Sequence, residues 1–197
     1  MKTFLSELKT SLLLTFALVV LLCGVYPLAV WAGAQVLFPA KANGSLVVDP
    51  DGSVRGSALL AQNFSSAKYF QPRPSAAGTG FDATSSGGTN LGPTSQKLAD
   101  SIKAAVAAYR AANGLGSEEA VSADAVTSSG SGLDPHISVA NAQLQAPRVA
   151  RARGLALAQI QPLIAQSTAG RDLGVLGEPG VNVLLLNIAL DRIPSGK

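Results

Sequence analysis

Serine, aspartate and histidine side chains lie close together in SGSGLDPHIS, residues 129–138, which contains the only histidine of the chain. Such side chains form the catalytic triads of many hydrolases, in which histidine activates a serine and aspartate orients the histidine. The nucleophilic serine commonly lies on a strained G-x-S-x-G turn, and Gly130-Ser131-Gly132 lacks that spacing. Asp134 is also placed to cap the turn that follows it. We therefore expect a shaped loop for packing or docking, in which His136 is a hydrogen-bonding group and no residue is catalytic.

Metal and phosphate sites are also not favoured by the residue spacing. One histidine, one cysteine and scattered carboxylates give no set of metal ligands, and no metal is expected. The glycine-rich stretch 85–92 could bind an anion through backbone N–H groups, although it lacks the G-x-x-x-x-G-K-[ST] sequence of a P-loop. The favoured interpretation is a glycine turn that lets two backbone segments approach closely.

Three arginines, Arg148, Arg151 and Arg153, fall within one predicted helix. The first two share a face of that helix, and Arg153 points elsewhere. A solvated face is the default interpretation of such a group. A charge-assisted contact with a partner protein is the alternative.

An uncharged apolar segment near the N-terminus indicates a membrane anchor. No charged residue occurs from Thr10 to Ala40, and about 20 apolar residues are enough to cross a membrane as a helix. We predict a transmembrane helix over residues 11–31, followed by a juxtamembrane connector over residues 32–43. The residues that mark the predicted span are Ser11, Leu14, Leu18, Leu22, Tyr26 and Trp31.

Two lysines determine the predicted orientation of that helix. Lys2 and Lys9 precede the span with only Glu7 against them. The positive-inside rule therefore keeps residues 1–10 in the cytoplasm and places the following domain outside. A cleaved signal peptide is the main alternative, because Ala32-Gly-Ala34 has the small-x-small pattern of a cleavage site.

Residues 44–197 are predicted to form one extracytoplasmic α+β domain with a short sheet and about three helices. The net charge of +3, without a long basic run, gives no indication of nucleic-acid binding, and one cysteine excludes an internal disulfide. The first predicted elements are a hairpin from Leu46 through Val54 and a helix capped by Thr94 or Ser95 and ended by Gly114. A second helix is predicted to be capped by Ser138 and interrupted at Pro147. An amphipathic stretch over 155–164 and a buried strand over 181–191 complete the predicted domain.

Five motifs occur in a fixed order after the apolar segment: YFQPRPSA (69–76), SGGTNLGPT (86–94), SGSGLDPHIS (129–138), RVARARG (148–154) and LGEPGVNVLLLNIALD (176–191). With these motifs the chain resembles, over its full length, the KdpC family, the C subunits of the bacterial Kdp potassium-transporting P-type ATPases. Gly180 stands where arginine commonly follows Glu-Pro in that family, and Ser167 where histidine commonly precedes the threonine. No family role is carried over to these two positions.

The resemblance implies an accessory subunit of a high-affinity potassium uptake pump in the bacterial inner membrane. It implies two partner subunits, one channel-like and one a P-type ATPase, and a role as a catalytic chaperone that raises the ATP affinity of the second. Association with ATP is implied by the resemblance alone. One helix cannot build a carbonyl-lined potassium filter, and the chain lacks the Asp-Lys-Thr-Gly sequence that forms an aspartyl-phosphate.

The motif residues are therefore candidates for contacts with partners and not for catalysis. A membrane-anchored or secreted extracytoplasmic hydrolase, or a single-span scaffold module, remains the alternative function. The candidate contact residues are Tyr69, Phe70, Arg73, Ser86, Gly87, Gly88, Asn90, Ser129, Asp134, His136, Arg148, Arg151, Glu178, Asn182 and Asn187.

Overall fold

A long helix forms the N-terminal part of the chain. The computed structural model describes residues 2–193 and has helix α1 over Lys2–Val19, a π-helical stretch over Val20–Val25 and α2 over Tyr26–Leu37. Thr3–Leu37 is long and apolar enough to cross a membrane, and the rest of the protein buries none of its most apolar window. One apolar N-terminal helix of this kind fits a single-pass membrane protein.

The helix continues past the predicted span and into the predicted connector. It ends at Leu37 and is followed by the short helix α3, Pro39–Ala42. The break lies at Phe38, whose φ of −140° and ψ of 53° are not helical. A residue that precedes proline is disfavoured in the helical region, which accounts for the position of the break.

A two-stranded hairpin follows, as the sequence predicted. Strands β1, Leu46–Val48, and β2, Val54–Ser57, pair antiparallel with an irregularity between Val47 and Val48. Between them the N–H of Gly52 donates to the carbonyl of Asp49 at 2.9 Å, and Gly52 has a φ of +85°. Glycine adopts such a φ at little cost, so this turn sequence suits the hairpin.

The helix predicted from its two end signals is also present. Helix α4 spans Gln96–Asn113, with the Ser95 hydroxyl accepting the N–H of Leu98 at its start and Gly114 in the left-handed conformation at its end. The short helix α5, Ala123–Val126, lies between α4 and the third motif. The stretch from Ala58 to Ser95, which includes the first two motifs, is irregular, yet Phe70 and Ala77 within it are fully buried.

The core lies between three helices and a second small sheet. The helices are α6, Val139–Arg153, α7, Leu157–Gln166, and α8, Val183–Asp191. The strands β3, His136–Ser138, β4, Thr168–Ala169, and β5, Gly180–Asn182, form an antiparallel sheet in the order β3-β5-β4. The buried cluster comprises Phe70, Ile137, Ala142, Ala146, Val149, Ala150, Ile160, Ile164, Val181, Val183, Leu186 and Leu190. The expected α+β architecture is confirmed.

The prediction of a buried strand over residues 181–191 was wrong. Only Gly180–Asn182 is a strand, and α8 begins immediately after it. The Asn182 side chain accepts the N–H of Leu185 at 3.1 Å and so caps the helix. A short, continuous apolar run has the same pattern in a buried strand and in a buried helix, so its periodicity does not separate the two.

The predicted interruption at Pro147 was also wrong, because α6 is continuous from Val139 to Arg153. Pro147 lacks an N–H, which leaves the carbonyl of Gln143 without its helical donor. Both residues are exposed. Solvent can therefore hydrate the released carbonyl, and the opposite face of α6 keeps its packing against the core.

Candidate functional site

The two glycine-rich loops of the chain lie against each other. The N–H of Gly87 and the hydroxyl of Ser86 both donate to the carbonyl of Ser131, at 2.9 and 3.0 Å. A Cβ atom at Gly88 would lie 3.1 Å from the carbonyl oxygen of Gly130. The interpretation of this stretch as a close backbone approach is confirmed, and the N–H of Gly87 is already used inside the chain.

Gly132 completes this contact from the other loop. Its φ is +68°, and a Cβ atom there would lie 2.6 Å from the nitrogen of Ala77 and 2.7 Å from the carbonyl oxygen of Gly87. The Ser75 hydroxyl donates to the carbonyl of Gly132 at 2.6 Å and accepts the N–H of Phe81 at 2.8 Å. Three separate segments are thus held together by backbone groups, which gives the site a fixed shape.

Asp134 lies at the centre of the polar groups beside these loops. Its Oδ1 accepts the N–H of His136 at 2.9 Å, as predicted for a capped turn, and its Oδ2 is 3.2 Å from Nη1 of Arg73. The His136 imidazole, with Nδ1 3.6 Å from Asp134 Oδ1, is the main group that lowers the pKa of Asp134, and the His136 N–H and Arg73 add to this effect. Partial burial acts in the opposite direction. The carboxylate is therefore held in its ionised form.

The arrangement lacks a nucleophile. Within residues 2–193, no hydroxyl group hydrogen-bonds to the His136 side chain, and the hydroxyl of Ser129 lies 3.4 Å from that of Ser131. Acyl transfer needs a base within hydrogen-bond reach of the attacking oxygen. Asp134 and His136 instead form a half-buried polar pair at the surface of the domain.

An open cleft of about 400 Å³ lies beside this pair and is lined by residues of all three strands of the second sheet. Gly180 contributes no side chain to it, and a Cβ atom there would lie 3.1 Å from Cβ of His136. Within the described residues no cluster of three or more metal-ligating side chains is present. The cleft is lined by Asp134, His136, Ala169, Gly170, Asp172, Glu178 and Gly180.

The loop from β4 to β5 carries an apolar tip next to the cleft, which we call the apolar tip and define as Leu173, Val175 and Leu176. Leu173 is 90% exposed and Val175 is 72% exposed. A backbone bridge between Asp172 and Leu176 holds the loop closed, and an Arg171–Glu178 ion pair of 2.8 Å lies across its base. These three residues are not among the candidate contact residues predicted from the sequence, although the fifth motif begins at Leu176. The sequence signal for this surface is three large apolar side chains among the glycines and charged residues of the segment 171–178.

Arg148 has a different environment from the one expected, because it is buried and not on a solvated face. Its Nη1 donates to the carbonyls of Ala67 and Tyr69 at 2.7 and 3.0 Å, its Nε to Asn113 Oδ1 and its Nη2 to Gln145 Oε1. Burial lowers the pKa of Arg148. The face of α6 that carries Arg148 is covered by the 67–71 segment, so this residue fixes that segment and does not face a partner.

Several other motif residues are internal. Phe70 is fully buried, and its N–H and carbonyl are bonded to the side-chain amide of Asn187, both at 2.9 Å. The amide of Asn182 donates to the carbonyl of Ala58 at 2.8 Å. Asn182 and Ser129 are also buried. The two asparagines hold irregular segments on α8. All four residues are buried, so none of them presents a free surface to another protein.

The remaining candidates lie at or near the surface. Arg73, Asp134, His136 and Tyr69 are half-buried, and the Tyr69 hydroxyl donates to Asp191 at 3.1 Å. The exposed candidates are Ser86, Asn90, Arg151 and Glu178, together with all six residues that mark the predicted span, Ser11, Leu14, Leu18, Leu22, Tyr26 and Trp31. The structure thus brings Arg73, Asp134, His136 and Glu178 to one cleft or its margin, and leaves Arg151 and Asn90 outside its lining.

The chain is similar to known proteins over most of its length. The profile of the family described as "KdpC: K+-transporting ATPase, c chain" matches residues 8–192. Potassium-transporting ATPase KdpC subunits of Rhodospirillum rubrum and Mycobacterium tuberculosis (strain H37Rv) are both 56% identical, over 95% and 86% of this chain and 96% and 89% of their own. The KdpC subunit of Myxococcus xanthus is 53% identical over 96% of this chain and 88% of its own. The profile match and these identities show that the chain belongs to the KdpC family of potassium-transporting ATPase subunits.

Proposed function

We propose that this chain is the accessory subunit of an ATP-driven potassium uptake pump, and that it neither conducts potassium nor hydrolyses ATP. The observation that carries the proposal is one apolar helix joined to a domain whose polar clusters bond internally, in a chain that belongs to the KdpC family. One helix cannot line a selective potassium filter. Conduction and hydrolysis then belong to a channel-like subunit and a P-type subunit.

The proposed topology follows from charge and length. Lys2 and Lys9 hold the N-terminus in the cytoplasm, the apolar helix spans the bacterial inner membrane, and residues 44–197 lie outside. The domain is then on the side from which potassium enters. It has no direct access to cytoplasmic ATP.

The apolar tip and the neighbouring cleft are the proposed docking surface for the channel-like subunit, close to its ion entrance. Leu173 is 90% exposed and Val175 is 72% exposed, and exposed apolar patches rimmed by polar residues mark surfaces that bind other proteins. The Asp134–His136 pair would add recognition of a polar or basic group of the partner.

A chaperone effect on ATP must then act through the assembled complex. The domain would bias the state of the channel-like subunit, and the P-type subunit would respond with a higher ATP affinity. A coupling free energy of about 1–3 kcal/mol, typical of coupled sites, corresponds to roughly a 5–150-fold change in affinity. This mechanism does not require the glycine-rich stretch 85–92 to bind nucleotide.

The test uses the complete pump assembled with and without this subunit. We expect omission of the chain to raise the KM for ATP of potassium-stimulated hydrolysis. A Leu173→Asp subunit should bind the other subunits at least about tenfold more weakly, because a charge would be desolvated at the interface. Binding is measured by titration of the labelled subunit in detergent.

Leu157→Asp is the matched control. Leu157 is an exposed leucine in the first turn of α7, outside the cleft and the apolar tip. We expect it to bind as the wild type does. Equal binding by both variants would refute the docking surface, and a KM for ATP that does not change on omission of the chain would refute the chaperone role.

A further inference from the structure

The end of the membrane helix is joined to the domain by a hydrogen-bonded junction. The amide of Asn43 donates to Gln35 Oε1 at 3.1 Å and to the carbonyl of Pro39 at 2.7 Å. The N–H of Ser45 donates to the carbonyl of Ala40 at 2.9 Å. These bonds turn the chain back towards the helix, so the next strand starts at a fixed place beside the helix end.

The hairpin β1–β2 is tied to this junction and to the domain. The Ser57 hydroxyl donates to the carbonyl of Gly44 at 2.7 Å, and the N–H of Ala58 donates to the carbonyl of Ser45 at 3.0 Å. The carbonyl of Ala58 in turn accepts the amide of Asn182, at the start of α8. The membrane helix, the hairpin and the core are thereby linked without a free linker.

One face of the hairpin is apolar and uncovered. Val48 pairs directly with Val54, and Leu46 lies two residues before Val48, so the three side chains point to the same side of the two strands. Each is more than half exposed. We call this surface the hairpin face. On the other side of the strands, the side chain of Gln62 lies across Gly56 and donates to the carbonyl of Arg55.

The distance along the chain places this face near the lipid. Residues 10–37, the uncharged part of the helix, measure about 42 Å at 1.5 Å per residue. A bilayer with its headgroup regions is about 40–45 Å thick. The end of α2 therefore lies at the outer surface. Leu46 follows the end of α3 by only four residues, which can extend at most about 14 Å.

We propose that the hairpin face rests in the outer interfacial layer of the phospholipid bilayer and acts as a second membrane contact. This inference rests on the proposed membrane anchor. Lys41, at the end of α3, is placed to meet lipid phosphates. The hairpin turn carries Asp51, whose pKa is lowered mainly by the hydroxyl and N–H of Ser53, so it stays ionised and in water. Leu46 then lies deepest and the turn lies outermost.

A helix alone leaves the domain free to rotate about the helix axis. A second contact beside the helix end fixes that rotation, and the rigid junction passes the orientation on to the core. The cleft and the apolar tip would then face a constant direction relative to the membrane. This orients the subunit before it meets a partner and reduces the ordering cost of docking.

The experiment measures the depth of single labels in the full chain. Cys23 is changed to serine, and Leu46→Cys or Ser53→Cys carries an environment-sensitive fluorophore in phosphatidylcholine–phosphatidylglycerol vesicles. Lipids with a spin label near the headgroup report contact by quenching. We expect the label at position 46 to be quenched several-fold more than the label at position 53, which is the matched control on the same hairpin.

A third label, Leu14→Cys, separates the two hypotheses. Quenching at position 14 by deep spin labels without quenching at position 46 overturns the hairpin inference and leaves the anchor in place. No quenching at position 14 overturns both. The same measurement in the assembled pump is the final check: retained quenching at position 46 supports the inference, and its loss overturns it, because a protein subunit then covers the face.

Discussion

Gly132 has a φ of +68°, and a Cβ atom placed on it would lie 2.6 Å from the backbone nitrogen of Ala77. Both features oppose a larger residue, because the left-handed region is strained for other residues and the neighbouring atoms are backbone. We expect Gly132→Ala to lower the free energy of unfolding by about 2–4 kcal/mol. Thermal unfolding of the full chain in detergent, followed by circular dichroism, would measure this.

Gly130 provides the control for this substitution within the same loop. It does not have a positive φ, and no atom outside its immediate neighbours lies within 4 Å of the position that a Cβ atom would occupy there. Gly130→Ala should therefore change the unfolding midpoint little. If both alanine variants were equally stable, the close approach of the two glycine loops would not be a determinant of this fold.

Asp134 links the stability of the loop to pH. The His136 imidazole, the backbone N–H of His136 and the Arg73 guanidinium lower the pKa of this carboxyl in the folded protein. The unfolded chain then binds the proton more readily than the folded chain does. The contribution to stability is complete above the ordinary aspartate pKa of about 4 and is lost as the pH falls through the lower, folded-state value.

The expected result is a smaller loss of stability on acidification for Asp134→Asn than for the wild type. The side chain is 31% exposed, so solvent screens part of the effect. Unfolding midpoints measured between about pH 6 and pH 2 would show the difference. Parallel curves for the two proteins over this interval would rule out a linkage through Asp134.

At the scale of single elements, the sequence predicts best where the signal is local. Ser95 and Gly114 bound α4 because a hydroxyl cap and a left-handed glycine act on their own helix ends. The β1–β2 hairpin follows from its Asp-Pro-Asp-Gly turn for the same reason. The membrane helix is set by composition alone, although its end at Leu37 depends on Pro39.

Elements that depend on packing were not predictable in the same way. The run 181–191 is apolar throughout most of its length, and only its packing against α7 and β5 makes most of it a helix. The burial of Arg148 required the 67–71 segment to cover that face of α6, and this segment has no periodic pattern. The candidate site shows the same difference between local and long-range features. Asp134 and its turn were predicted from a local signal, whereas the cleft and the apolar tip arise from contacts between distant segments.

At the scale of the whole molecule, the orientation in the membrane decides which partners are within reach. Lys2 and Lys9 predict a cytoplasmic N-terminus. In a Cys23→Ser variant, Ser53→Cys should react with a membrane-impermeant maleimide that is added to intact cells and can reach the outer surface of the inner membrane. A cysteine at Ser6 should react only after the cells are opened.

The size of the labelled chain adds a second result to this measurement. A Ser6→Cys label that remains on the full-length protein would show that the N-terminal helix is kept and not cleaved after Ala34. Reaction of position 6 from outside, or of position 53 only in opened cells, would indicate the opposite topology. The outward docking surface would then have to be abandoned.

The π-helical stretch Val20–Val25 gives the membrane helix a site that tolerates changes in length. A π turn closes its hydrogen bonds over five residues instead of four, so it holds about one residue more than an α turn. Removing one residue there would restore regular winding and leave the faces of α1 and α2 nearly aligned. The same deletion inside α1 would turn every later residue by about 100° around the axis. Homologous spans can therefore differ by one residue at this point and still present the same sides to their neighbours.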